Sequence, residues 1–126
     1  MQTYRLLIVD DDESLMDSLV FYLESQGHGV SQANNGDEAI QQLLELRDQP
    51  FDLVILDIQM PKKDGLNFLI SMSRHGFDLP VLVISGYRDK KTLLEINKLG
   101  FQDFLDKPFE PAELDSAIQD VLRNRG

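Results

Sequence analysis

Leu53-Val54-Ile55-Leu56 is an unbroken aliphatic run closed by the carboxylate of Asp57, and two other stretches repeat the pattern. Leu6-Leu7-Ile8-Val9 runs into Asp10 and Asp11, and Val81-Leu82-Val83-Ile84 runs into Ser85. Continuous rather than alternating apolar character suits strands covered on both faces, as in a parallel sheet between layers of helices. Between the runs the period changes to that of a helix. Residues 14–25 place Leu15, Met16, Leu19, Val20 and Leu23 on one face, and residues 37–47 do the same with Ile40, Leu43 and Leu44. Residues 65–74 and 89–98 carry weaker helical patterns. The last helix is opened by Pro111 in a first-turn position and carries Leu114, Ala117, Ile118, Val121 and Leu122 at helical spacing. With weaker strand candidates at Gly29–Ala33 and Gln102–Leu105, the order becomes β-α repeated five times. That order predicts an α/β fold with a parallel sheet wrapped by right-handed crossovers.

The chain has 126 residues, a length that suits one domain of ordinary size, and residues 1–126 are expected to be all domain. Hydrophobic residues make up 42%, enough for an ordered core. The charge balance is 12 Lys+Arg against 22 Asp+Glu, a net −10, which opposes direct binding to nucleic acid or to an anionic membrane face. The absence of cysteine excludes disulfides, thiolate catalysis and Cys-based zinc sites. The N-terminus has no signal-peptide pattern, and no run approaches the roughly 18 apolar residues of a membrane span, so a cytoplasmic location without membrane insertion is expected. No G-x-G-x-x-G follows the first strand and no P-loop is present, which disfavours dinucleotide and P-loop nucleotide sites.

Each principal run ends in a polar side chain. In an open α/β sheet the carboxyl ends of the strands form one edge, where ligands bind. Asp10, Asp11, Asp57 and Ser85 are therefore expected to converge there, and Lys107, after the fifth strand candidate, should bring an ammonium to the same place. Carboxylates packed together repel, and burial raises the cost of ionising them all, so the cluster calls for a divalent cation. An all-oxygen, carboxylate-rich site suits Mg2+, or Mn2+, better than zinc. A cation, a carboxylate, a hydroxyl and a lysine around one space are the equipment for holding a phosphoryl group and for forming an aspartyl phosphate. Taken singly these residues also have plainer readings. Asp12 is expected to cap the first helix, with Glu13 in its acidic first turn, and Ser85-Gly86 alone reads as a turn. His28 and His75 lack matching partners in the sequence for a catalytic or metal role.

Four stretches, LLIVDDDESL, LVILDIQMPKKDG, VLVISG and GFQDFLDKPFEPAEL, carry a resemblance to the receiver domain of bacterial two-component response regulators. The resemblance spans essentially the whole chain. It implies a flavodoxin-like five-stranded sheet, (βα)5, in the order 2-1-3-4-5. By position it implies Asp57 as phosphoacceptor, Asp10 and Asp11 as Mg2+ ligands together with Asp57 and the Gln59 backbone carbonyl, and Ser85 and Lys107 as partners of the phosphoryl oxygens. It further implies Phe104 as an aromatic switch coupled to Ser85, Gln59 and Tyr87 as residues that tune phosphoryl lifetime, Gly86 as the small residue leaving space for a phosphodonor, and a cis Lys107-Pro108 bond. The implied partners are a histidine kinase or histidine phosphotransfer protein and a downstream effector protein or domain. Only self-phosphorylation and autodephosphorylation are implied as chemistry. Two other functions stay in view. A Mg2+-dependent hydrolase would carry a second acid two residues after the nucleophile, where this chain has Gln59. A receiver-like interaction module that is never phosphorylated would usually have lost one of the pocket residues.

Overall fold

A computed structural model of the protein describes residues 2–59, 64–86 and 89–125. The elements follow in strict alternation: β1 (Arg5–Val9), α1 (Glu13–Ser25), β2 (Gly29–Ala33), α2 (Gly36–Glu45), β3 (Leu53–Asp57), α3 (Asp64–Arg74), β4 (Val81–Ser85), α4 (Lys90–Lys98), β5 (Phe104–Asp106) and α5 (Pro111–Arg125). All four neighbouring strand pairs are parallel, and the sheet order is β2-β1-β3-β4-β5. The expected flavodoxin-like doubly wound fold is what the chain adopts.

The aliphatic runs form the three central strands, and their alternate residues serve two cores. Leu7, Val9, Val54, Leu56, Val81 and Val83 pack on one face against Ala39, Leu43, Phe68, Leu69, Met72 and Ile96 from α2, α3 and α4. Leu6, Ile8, Leu53, Ile55, Leu82 and Ile84 pack on the other against Met16, Leu19, Val20, Leu23, Leu114, Ile118 and Val121 from α1 and α5. Burial on both faces is why these strands read as continuous rather than alternating.

Caps set the helix starts. Asp12 accepts the Leu15 N–H at 3.2 Å at the head of α1, as expected. At α2, the cap residue Asn35 accepts the Glu38 N–H at 2.8 Å while the Glu38 carboxylate reaches back to accept the Asn34 N–H, just before the cap, at 2.8 Å. Gly27, at φ 96°, closes α1 in the left-handed region and delivers the chain to β2.

Two expectations require correction. Leu44 is not part of the α2 core face but is 38% exposed, because α2 turns Ala39 and Leu43 inward instead. The last strand runs Phe104–Asp106 rather than Gln102–Leu105, since Phe104, Leu105 and Asp106 are the residues paired with Val83, Ile84 and Ser85 of β4.

Candidate functional site

The carboxyl ends of β1, β3 and β4 lie side by side, so residues far apart in sequence meet at one edge. Asp10, immediately after β1, is 2% exposed, Asp57 at the end of β3 is 4% exposed, and Ser85 at the end of β4 is fully buried. Buried carboxylates need partners. Asp57 has them: its Oδ1 accepts the Gln59 N–H at 2.8 Å, and its Oδ2 pairs with the Lys107 ammonium at 2.5 Å. Lys107 is carried into place by its backbone, whose N–H donates to the Ser85 carbonyl at 2.8 Å, and by the cis Lys107-Pro108 peptide that follows. Its ammonium also donates to Gln59 Oε1 at 2.9 Å.

Asp10 is less well provided. Its Oδ1 accepts the Asp12 N–H at 2.9 Å, whereas Oδ2 is buried with no hydrogen-bond partner among the described residues. Burial is the chief cause that pushes its pKa from 3.8 up to about 6; the Asp12 N–H opposes it, the negative charge of Asp57 adds to it, Lys107 counters, and Asp11 adds a little more. An orphaned buried carboxylate oxygen beside a second carboxylate fits an oxygen-seeking divalent cation. Mg2+ commonly takes only one or two protein carboxylates and keeps several waters.

The three expected carboxylates sit at different depths. Asp10 and Asp57 are buried within electrostatic reach of each other, but Asp11 is exposed at the rim. Among the described residues no three acidic or histidine side chains come close enough together to ligate one ion. Ser85 is present at the edge, with its hydroxyl turned toward β5 at 3.5 Å from Asp106 Oδ1. Phe104 is half-buried in β5, packed against the core beneath α4. Tyr87 lies outside the described residues, as do Met60 to Lys63 and Arg88.

Three contacts escaped sequence reasoning. The Gln59 side chain reaches Lys107, and it lies so close over Gly86 that a Cβ at Gly86 would collide with its amide nitrogen. Asp106 is the partner of the Ser85 hydroxyl, at 3.5 Å, a neighbour given by the β4–β5 register. Asp89 leaves the head of α4 uncapped and accepts the Gly86 N–H at 2.7 Å. Of these, Asp89 had a signal, an acid three residues beyond a turn glycine. His28, expected to have no role in catalysis, is buried away from this edge: Nδ1 accepts the Tyr4 N–H at 3.0 Å and Nε2 faces Asp115 Oδ1 at 3.6 Å.

The doubly wound sheet, with a buried acid pair and a lysine at its carboxyl edge, defines the class: a receiver-type α/β signalling domain. The chain belongs to the response regulator receiver domain family, which it matches over residues 6–119. It is 35% identical over 119 residues to the transcriptional regulatory protein FixJ of Bradyrhizobium diazoefficiens, covering 94% of this chain and 57% of that one. It is 29% identical over 119 residues to the alkaline phosphatase synthesis transcriptional regulatory protein PhoP of Bacillus subtilis, covering 94% and 48% respectively. The chain thus spans about half the length of the curated relatives it matches. Among solved structures, a response regulator receiver domain protein from Clostridium thermocellum superposes with a TM-score of 0.84 at 26% identity, covering 96% of this chain and 95% of that one. Among the described residues no helix is long and apolar enough to cross a membrane.

Proposed function

We propose that the chain is a phosphorylation-dependent switch that accepts a phosphoryl group on Asp57 from a histidine kinase or histidine phosphotransfer protein. The observation that carries this reading is the buried Asp57 carboxylate bonded to Lys107 beside the unpartnered Asp10 oxygen. In the transfer, an Asp57 oxygen forms the new O–P bond as the P–N bond of phosphohistidine breaks, and the electron pair leaves with the imidazole nitrogen, which takes up a proton. Lys107 is within reach to neutralise a phosphoryl oxygen, and the Gln59 N–H orients the attacking carboxylate. Asp10 and Asp57, with Asp11 and the Gln59 carbonyl at the rim, would hold Mg2+, or Mn2+, which when bound neutralises charge on the phosphoryl oxygens. The Ser85 hydroxyl turns from Asp106 toward the new oxygens, and Phe104, two residues before Asp106 on the neighbouring strand, follows it inward. Tyr87 and Gln59 set how readily water reaches the phosphoryl group.

The added charge biases a two-state equilibrium of the surface around residues 85–110. That surface then controls a downstream effector protein or an output domain in the same polypeptide, a reading supported by relatives about twice this length that are named as transcriptional regulators. The net charge of −10 argues that this chain does not itself hold nucleic acid, and the expected location is the cytoplasm. The test is intact mass after incubation with acetyl phosphate, with and without Mg2+, for the parent and Asp57→Asn. A Mg2+-dependent gain of one phosphoryl group that vanishes in the variant is expected. An adduct that survives the substitution overturns the assignment.

A further inference from the structure

Resting on that reading, we propose that Asp89 is a latch that holds the Ser85-Gly86 segment in its unphosphorylated arrangement and must let go when Asp57 is phosphorylated. Asp89 stands where an N-cap would stand at the head of α4, yet its side chain caps nothing in the helix. It turns back instead, accepting the Gly86 N–H at 2.7 Å, while its own N–H donates to the Gly86 carbonyl at 3.1 Å. The two bonds fasten Asp89 to both the N–H and the carbonyl of Gly86.

What makes this a latch is where Gly86 sits. It follows Ser85 directly at the carboxyl end of β4, and the space where its side chain would lie is filled by the Gln59 amide that bonds Lys107. The Gly86 N–H is therefore a backbone donor at the border of the pocket, beside a hydroxyl that also looks away from Asp57, toward Asp106. The Gly86 N–H is taken by the Asp89 carboxylate, and the Ser85 hydroxyl lies 3.5 Å from the Asp106 carboxylate. A phosphoryl group on Asp57 is a stronger anion placed nearer to them, and it draws the segment inward only if the Asp89 bond gives way. Because a bond to a charged acceptor is about twice as strong as a neutral one, Asp89 biases the resting state more than an ordinary turn would. Release also frees the first turn of α4, which links the pocket to the surface that partners read.

The test is affinity for beryllofluoride, a phosphoryl mimic, in the presence of Mg2+, for the parent, Asp89→Ala and Asp89→Asn. Tighter binding is expected in both variants, about tenfold for alanine and less for asparagine, which keeps an acceptor but not the charge; tenfold corresponds to about 1.4 kcal/mol. Mg2+ affinity alone, and the thermal midpoint of each variant, show whether a variant has merely loosened the fold. A purely structural capping role predicts a lower midpoint with beryllofluoride affinity unchanged or weakened, and that outcome overturns the latch. The amide signal of Gly86 should also move in the variants without any ligand, toward its position in the beryllofluoride-bound parent; a shift away from that position counts against the latch. If the parent binds no beryllofluoride, the phosphoacceptor reading fails and the latch falls with it. If the parent binds and neither variant binds tighter, the latch alone fails.

Discussion

Replacing Asp10 by asparagine should make the protein more stable at neutral pH, although it removes a residue of the pocket. Asp10 is 2% exposed, and its pKa is raised from 3.8 to about 6, first by burial and then by the neighbouring Asp57 charge. A raised acid binds its proton more tightly folded than unfolded, so its contribution to stability is complete below about pH 3.8 and is lost as the pH rises through about 6. At pH 7.5 the carboxylate is charged in both states, and the roughly two pH units between the two values correspond to about 3 kcal/mol of lost stability. A side-chain amide can keep the Asp12 N–H on its oxygen but must still bury an NH2 group, so a net gain of about 2 kcal/mol is expected. With a urea slope of about 2 kcal/mol per molar, the unfolding midpoint should rise by about 1 M. Urea titrations of parent and Asp10→Asn at pH 3.5, 5 and 7.5, all without divalent metal, measure this directly. The gap should be widest at pH 7.5, under about 1 kcal/mol at pH 5, and reversed by about 1 kcal/mol at pH 3.5, where only the cost of burying the amide is left. Added Mg2+ should stabilise the parent at pH 7.5 and largely spare the variant, because the cation acts through the oxygen that has been replaced. A variant no more stable than the parent at pH 7.5, or a gap that does not change with pH, would refute the claim that Asp10 is held ionised against its surroundings.

Lys107→Met should destabilise the protein by about 2 kcal/mol, below the usual loss for breaking a fully buried pair because the lysine side chain is 24% exposed. In a double-mutant cycle with Asp57→Asn most of that loss should disappear, and a coupling near zero by urea unfolding would show the pair to be energetically idle. Asn35→Ala should cost about 1 kcal/mol and lower the thermal midpoint by roughly 4 °C, since the Glu38 N–H loses its only side-chain acceptor at the head of α2; an unchanged midpoint by circular dichroism sinks that account.

The parts of the fold that were legible are those where burial is total. Every residue of β3 and β4 is buried, and β1 is buried from Leu6 onward, so the three central strands announced themselves as aliphatic runs whose ends then located the pocket. The edge strands were harder. Only Ala33 is buried in β2, and no residue of β5 is, so neither needs a continuous apolar sequence. For β5 the boundary was set by pairing with β4, which composition does not encode. Leu44 misled for a related reason: periodicity showed that α2 has an apolar face, but whether that face centres on Leu43 or Leu44 depends on how the helix is rotated against α3. The acids of the pocket were legible because a carboxylate ending an aliphatic strand has few structural reasons to be there. Adjacent Asp10 and Asp11 look alike in sequence, while the backbone turns the first inward and the second to solvent.

What stayed hidden is the pairing within the pocket, and it bears on how the site would work. The Gln59–Lys107 bond joins residues 48 apart, and the Ser85–Asp106 contact joins residues 21 apart. Each depends on a side-chain direction rather than on a residue type, and each engages a donor that a phosphoryl group on Asp57 would want. Lys107 is shared between Asp57 and Gln59, the Ser85 hydroxyl leans on Asp106, and the Gly86 N–H is held by Asp89. The donors a phosphoryl group needs are therefore already present and already engaged. Phosphorylation would not have to create hydrogen bonds in a vacant pocket but would exchange existing partners for a stronger one. The driving force is then the difference between acceptors, a few kcal/mol spread over several bonds, which is the scale at which two arrangements of one fold can both be populated. Asp10 stands outside this exchange because its Oδ2 has no partner among the described residues to give up. It holds charge in the pocket at a standing cost to stability, and that cost is what a cation would relieve.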